Sequence, residues 1–241
     1  MIDDVLSSSA GWRLLSKEHS LRRFTDRACA GAELARAMAR RSWRPPIVVL
    51  GLPRGGVAVA EPVARALGAP LDVMVVRKVA LPAQPELAIG AIASGGVVVR
   101  EPQFLDDLGK ADEATFARLA REQRVELERR ERVYRAGLPV LDLKGKTVVL
   151  VDDGLATGST MLAAVSAARR AGAAAVVAAV PIASQEAARR VRNAADELIA
   201  LETPYSMTAI GQWYGQFDQL EDAEVRRLLD LGASRSGPAE S

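Results

Sequence analysis

Two carboxylates stand side by side in the stretch VVLVDDGLATGST, residues 148–160. Asp152 and Asp153 follow an apolar run, and a small, glycine-bearing, hydroxyl-rich loop follows them. Adjacent like charges at the end of a buried strand repel each other, so the arrangement calls for a partner. Ala156, Thr157, Gly158, Ser159 and Thr160 sit where a helical pattern begins. Free backbone N–H groups, the positive end of the helix dipole and several hydroxyls converge there, which suits a phosphate monoester. Gly158 lets a ligand come close to the backbone. The aspartates cannot bind that phosphate. They can accept hydrogen bonds from the hydroxyls of an attached sugar, and they can lie near a Mg²⁺ that the sugar or a second phosphate carries. The pattern therefore fits a phosphorylated, polyhydroxylated ligand.

Other readings of the stretch are weaker. A Walker A loop needs Gly-Lys-Ser/Thr, and Ser159 follows Gly158 directly. The Rossmann G-x-G-x-x-G is absent. A receiver domain needs a further Asp at the end of a following strand, where residues 180–183 read Val-Pro-Ile-Ala. One Asp or one Thr alone would read as a helix N-cap, but that does not account for the whole pattern.

Three more stretches carry candidate chemistry. Leu52-Pro53-Arg54-Gly55-Gly56 follows one strand pattern and precedes a helix; taken alone it is a Gly-rich strand-to-helix turn. Arg77 and Lys78 end another strand pattern, either as a charged end reaching solvent or as cations facing an anion. AIGQWYGQFDQ, residues 209–219, holds Trp213, Tyr214 and Phe217. Those rings form a small satellite core or stack on a planar ligand, with Gln212, Asp218 and Gln219 available for its edge.

The elements that must position these groups are legible from the apolar pattern. TDRACAGAELARAMARR (25–41) reads as an amphipathic helix with Ala32, Leu34, Ala35 and Met38 inward. Strand patterns cover 45–52, 71–79, 96–101, 147–152, 174–183 and 196–204, with a short strand near 88–93 inside a turn-rich segment. Helical patterns cover 57–68, 111–135, 160–172 and 184–195. The 111–135 helix is highly charged and reads as solvent-facing, or as a dimer element. Near-continuous Val and Leu strands alternating with helices imply an α/β fold, a mostly parallel sheet covered on both faces. In such sheets ligands bind beyond the carboxyl ends of the strands, the edge to which 52–56, 77–78 and 152–160 belong.

Composition narrows the class further. Among 241 residues, 32 basic and 30 acidic side chains leave a net charge of +2, which argues against a dominant nucleic-acid face. One Cys and one His exclude an intramolecular disulfide and argue against a zinc site or a Ser-His-Asp triad. No apolar run is long enough for a bilayer, and the N-terminus lacks a signal-peptide layout, so a cytoplasmic protein without a membrane partner is expected. Residues 1–23 read as an extension and 226–241 as a helix end with a tail.

VVLVDDGLATGST resembles the phosphoribosyl-pyrophosphate (PRPP) signature of type I phosphoribosyltransferases. GLPRGGVAVA (51–60), VVRKVALPAQPELAIGAIA (75–93), AIGQWYGQFDQLEDAEV (209–225) and FTDRACAGAELA (24–35) are similar to an uncharacterised bacterial subgroup of that family. The match spans about residues 24–225, with a hood near 203–220. The resemblance implies transfer of 5-phosphoribosyl from PRPP, with Mg²⁺, to a nitrogen acceptor such as a nucleobase. It implies that Arg54 and the N–H groups of Gly55 and Gly56 hold the diphosphate, in a loop that often carries a cis peptide after Pro53. It places Arg77 and Lys78 beside the leaving group, with Asp152 and Asp153 on the ribose hydroxyls and the metal, and makes 80–95 a flexible active-site segment containing Glu86. It gives the hood, with Trp213 and Tyr214, to the acceptor; the usual purine and pyrimidine hood motifs are not recognisable. A non-catalytic PRPP or nucleotide sensor and a ribosyl hydrolase are the rival functions on the same fold, and a homodimer is a possible assembly. If the two aspartates only await a ligand, Asp153→Asn should melt no lower than wild type.

Overall fold

β-Branched runs place the strands, and small or charged residues place the turns between them. The computed structural model describes residues 24–82, 84–100, 113–137 and 141–233. In chain order the elements are α1 (Arg27–Ala39), β1 (Ile47–Gly51), α2 (Gly55–Leu67), β2 (Leu71–Val73), β3 (Val76–Leu81), β4 (Gln84–Ala93) and β5 (Val97–Arg100). They continue with α3 (Glu113–Arg135), β6 (Thr147–Val151), α4 (Ser159–Arg170), β7 (Ala175–Ile182), α5 (Gln185–Ala194), β8 (Glu197–Glu202) and α6 (Asp222–Ala233). The proposed extension 1–23 and the tail beyond 233 lie outside the described residues.

The main sheet is parallel, in the order β2-β1-β6-β7-β8. Its strands alternate between two covered faces. Val49, Val149, Val151, Val177 and Ile199 pack with α1, α2, α3 and α6. Val48, Leu50, Val148, Leu150, Val176 and Val180 pack with α4 and α5. Burial on both faces is why these strands read as continuous apolar runs. The chain leaves β1 toward β2, then crosses back to β6 and continues through β7 to β8. Strand order therefore reverses between β1 and β6, which makes their carboxyl ends the expected ligand crevice. The register pairs Ile47 with Thr147 and Gly51 with Val151, so the two strands end level.

Three expectations change. The apolar run 71–79 is two strands, because it changes partner at Met74 and Val75. Met74 N–H donates to the Gly51 carbonyl, while Val75 N–H donates to Ser94 Oγ at 2.9 Å. Beyond that point β3 joins an antiparallel sheet in the order β3-β4-β5. The segment read as a loop with a short strand is a ten-residue strand, β4, irregularly paired near Val79 and Ala80. The charged α3 is also less solvated than its composition suggests: it buries Phe116, Leu119, Ala120, Leu127 and Tyr134.

Among the described residues, no helix is long and apolar enough to cross a membrane.

Candidate functional site

The turn after β1 and the turn after β6 lie against each other. A Cβ on Gly55 would fall 1.9 Å from Asp153 Oδ2, and one on Gly56 would fall 2.9 Å from Asp152 Cα. Only glycine permits that approach. The Pro53–Arg54 peptide is cis, as the resemblance implied. Residues 152–161, with Ile210, line a cavity of about 180 Å³, so both carboxylates and the loop expected to hold phosphate share one recess.

The loop is shaped from behind. Ser184 Oγ donates to the Ala156 carbonyl at 2.7 Å, and Arg190 Nη1 donates to the Thr157 carbonyl at 3.0 Å. A trans peptide points its N–H opposite its carbonyl, so the N–H groups of Thr157 and Gly158 turn away from α5. Gly158 has φ +74°, the left-handed conformation that leads the chain into α4. Thr157 Oγ1 and Ser159 Oγ lie 3.1 Å apart. The first N–H groups of α4 have no intrahelical partner. Backbone donors, hydroxyls and the helix dipole thus converge as an anion cradle.

The carboxylate pair has a protein partner that sequence reasoning missed. Arg27 Nε donates to Asp153 Oδ2 at 2.8 Å, with the side chains 11% and 15% exposed. Arg27 also donates to the Asp218 carbonyl at 2.8 Å and lies 3.8 Å from the centre of the Phe217 ring. Its position was a signal, because a cation in the first turn of α1 opposes the helix dipole. Asp152 Oδ1 accepts from the Asp153 N–H at 2.9 Å, and among the described residues the Asp152 carboxylate has no ion-pair partner. Burial, followed by the charge of Asp153, holds the Asp152 carboxyl well above the usual range. Burial also raises Asp153, against the pull of Arg27. The expectation that Asp153→Asn would melt no lower than wild type therefore loses its premise: Asp153 is already engaged with Arg27 at 2.8 Å.

A family model described as "Phosphoribosyl transferase domain" matches residues 23–212. The chain belongs to the phosphoribosyl transferase domain family. It is 47% identical over 210 residues to a Mycobacterium tuberculosis H37Rv protein named "Putative phosphoribosyl transferase Rv0571c", covering 86% of this chain and 46% of that protein. The same figures hold for its counterpart in strain CDC 1551. The chain thus spans about half the length of these curated relatives. A crystal structure of TT1426 from Thermus thermophilus is 46% identical with a TM-score of 0.78, covering 86% of this chain and 97% of that one.

The other expected residues of this phosphoribosyltransferase domain are placed as follows. Arg54 leads α2, with Nη1 3.9 Å from Asp222 Oδ1. Arg77 lies on β3, where Nε and Nη2 donate to Gln123 Oε1 at 3.1 and 2.8 Å. Burial and the nearby Arg130 lower its pKa. Lys78 is the next residue of the same strand, half-buried. Trp213 and Tyr214 are 2% and 3% exposed, in a cluster with Phe24, Ala30 and Ile182. Neither ring presents a free face for stacking. Tyr214 instead donates its hydroxyl to the Asp153 carbonyl at 2.6 Å and stacks on Phe217, with centroids 4.9 Å apart. Gly215 N–H and Gln216 N–H donate to the carbonyls of Phe24 and Thr25. In this way the hood ties the start of α1, and with it Arg27, to the carboxylate pair.

No group of three or more His, Cys, Asp or Glu side chains that could hold a metal occurs among the described residues. What the site offers is two recessed carboxylates with raised pKa. Mg²⁺ is commonly bound by one or two carboxylates together with substrate phosphates and water. The donor set fits an ion that arrives with a phosphorylated ligand and relieves charge that burial leaves poorly solvated.

Proposed function

We propose that the domain transfers a 5-phosphoribosyl group from PRPP, bound with Mg²⁺, to a nitrogen acceptor and releases pyrophosphate. The observation that carries this reading is the level ending of β1 and β6 at the point where strand order reverses. It supports a reading in which the turns after β1 and β6 each take an anion beside one carboxylate pair. PRPP has the matching layout: a phosphate at one end, a diphosphate at the other and hydroxyls between.

The 5′-phosphate sits on the N–H groups and hydroxyls of 156–160. Asp152 and Asp153 accept from the ribose hydroxyls and are the side chains that would hold Mg²⁺. The ion supplies charge neutralisation for the diphosphate. Arg54, with the N–H of Gly55, binds the diphosphate, the Gly56 N–H being spent on the Leu52 carbonyl at 3.0 Å, and Arg77 and Lys78 bring positive charge along β3 toward the leaving group. The C1′–O bond breaks with its electron pair leaving on pyrophosphate. The acceptor nitrogen forms the C1′–N bond, and its proton passes to solvent. Positive charge on the sugar in the transition state is offset by the two carboxylates, so positioning and electrostatics supply the rate. Trp213 and Tyr214 serve the acceptor end by fixing the hood rather than by stacking.

The test is to incubate protein, Mg²⁺ and PRPP with a panel of nucleobases and related heterocycles and to measure pyrophosphate release. Release that depends on one acceptor supports the transferase. Equal release with and without acceptor makes the protein a ribosyl hydrolase. Binding of PRPP with no release under any condition makes it a sensor.

A further inference from the structure

The charged helix α3 carries a group that the reading above leaves unused. Arg129 Nε and Nη2 are gripped by Glu126, at 2.8 and 3.0 Å, one turn earlier on the same helix. This leaves Nη1 turned toward Asp222 Oδ2, 3.8 Å away. The other oxygen of the same carboxylate, Asp222 Oδ1, lies 3.9 Å from Arg54 Nη1. Both separations are too long for hydrogen bonds. Asp222 is instead anchored by the Tyr134 hydroxyl, which donates to Oδ1 at 2.6 Å. One carboxylate thus stands between two guanidinium groups, one from the β1–α2 turn and one from α3, with the facing N–H groups of both unspent on it. All three side chains are accessible, at 28% for Arg54, 48% for Arg129 and 35% for Asp222.

We propose that Arg129 is a second diphosphate-binding residue, and that Asp222 is the internal anion it shares with Arg54 until the ligand arrives. This rests on the PRPP reading of the site. Two guanidiniums flanking a single anion match a diphosphate, which offers oxygens on two phosphorus atoms and can accept from the unspent Nη1 groups of both at hydrogen-bond distance, closer than a carboxylate held at nearly 4 Å. Glu126 fixes the Arg129 fork in advance, so little side-chain freedom is lost when the anion binds. Asp222, being negative and close, opposes a second anion in the same place. Its removal therefore strengthens diphosphate binding, whereas loss of either arginine weakens it. The length and charge of α3 then have a function: the helix carries a cation to the leaving-group end of the site.

The experiment is isothermal titration of wild type, Arg129→Gln and Asp222→Asn, each with pyrophosphate–Mg²⁺ and, separately, with ribose 5-phosphate. Melting curves confirm that each variant is folded. Arg129→Gln is expected to lose about tenfold or more in pyrophosphate affinity, the scale of one hydrogen bond to a charged group. Asp222→Asn is expected to gain affinity severalfold. Ribose 5-phosphate binding stays unchanged in both. An Arg129 variant that keeps pyrophosphate affinity overturns the proposal, as does one that loses both ligands equally. So does an Asp222 variant that binds pyrophosphate more weakly. If wild type binds neither ligand, the PRPP reading falls, and this inference with it. If wild type binds both and the variants do not discriminate, this inference alone falls.

Discussion

Replacing Arg27 by Met removes the one cation paired with the carboxylates among the described residues and keeps a stem of similar shape. The Arg27 and Asp153 side chains are largely buried, at 11% and 15% exposed. Removing one partner of a buried pair costs about 3–5 kcal/mol. The adjoining cavity admits solvent and screens part of this, so the expected loss is about 2–3 kcal/mol, or roughly 4–12 °C in Tm. Charge can be told from packing by pH. Asp152 and Asp153 both have folded pKa values above the ordinary range, from burial first. Such a group favours the fold most when protonated, below its unfolded pKa near ~4. That contribution is lost as pH rises through the folded value. Arg27 offsets the loss by favouring the ionised forms, so without it both values rise further. The Tm gap between wild type and Arg27→Met is therefore widest at about pH 8 and narrows toward about pH 4. Arg27→Lys, which keeps the charge, recovers most of the gap at the higher pH. Scanning calorimetry on chelator-treated protein at both pH values reads these differences. A gap of equal size at both, or a Lys variant no better than Met, would show that Arg27 acts by packing on Phe217 and bonding Asp218.

Two substitutions probe the turns. In Gly55→Ala the new Cβ falls 1.9 Å from Asp153 Oδ2 and 2.8 Å from Arg27 Nε, so the pair must separate. PRPP–Mg²⁺ affinity measured by titration should fall about tenfold or more with the circular dichroism spectrum intact; unchanged affinity would mean the close approach has no role in the site. Gly158→Ala places a side chain at φ +74°, with Ala187 Cβ and Val191 Cγ2 each 3.3 Å away. It should lower Tm by roughly 2–8 °C, from about 1–2 kcal/mol of left-handed strain. It should also weaken ribose 5-phosphate more than pyrophosphate, and equal weakening would contradict a dedicated phosphate cradle.

The parallel core was legible because its strands are buried on both faces: Val148 and Leu150 face one helix layer, Val149 and Val151 the other. The turns after β1 and β6 were legible because glycine, hydroxyl and carboxylate residues interrupt those runs abruptly at strand ends. The split of 71–79 was not legible, since an apolar run carries no mark of where it exchanges one strand partner for another. Arg27 was hidden for a different reason. It lies 126 residues from Asp153, and only the fold brings them to 2.8 Å. Asp222 was hidden likewise, on a helix near the end of the chain whose charge pattern reads as solvated surface. For Trp213 and Tyr214 aromatic content left open a satellite core or a stacking surface, and only the fold shows both rings buried in a core cluster with Phe24, Ala30 and Ile182.

The most direct test of the account is whether one PRPP molecule spans both strand ends. Isothermal titration with PRPP–Mg²⁺, alone and against saturating ribose 5-phosphate or pyrophosphate–Mg²⁺, measures this. One binding event per chain is expected, competed by each half of the ligand. At a hundredfold excess over Kd the expected stabilisation is about 2.7 kcal/mol, a rise of roughly 5–11 °C in Tm. A folded sample that gives neither binding heat nor a melting shift with saturating PRPP–Mg²⁺, or one competed by only one half, would contradict the account.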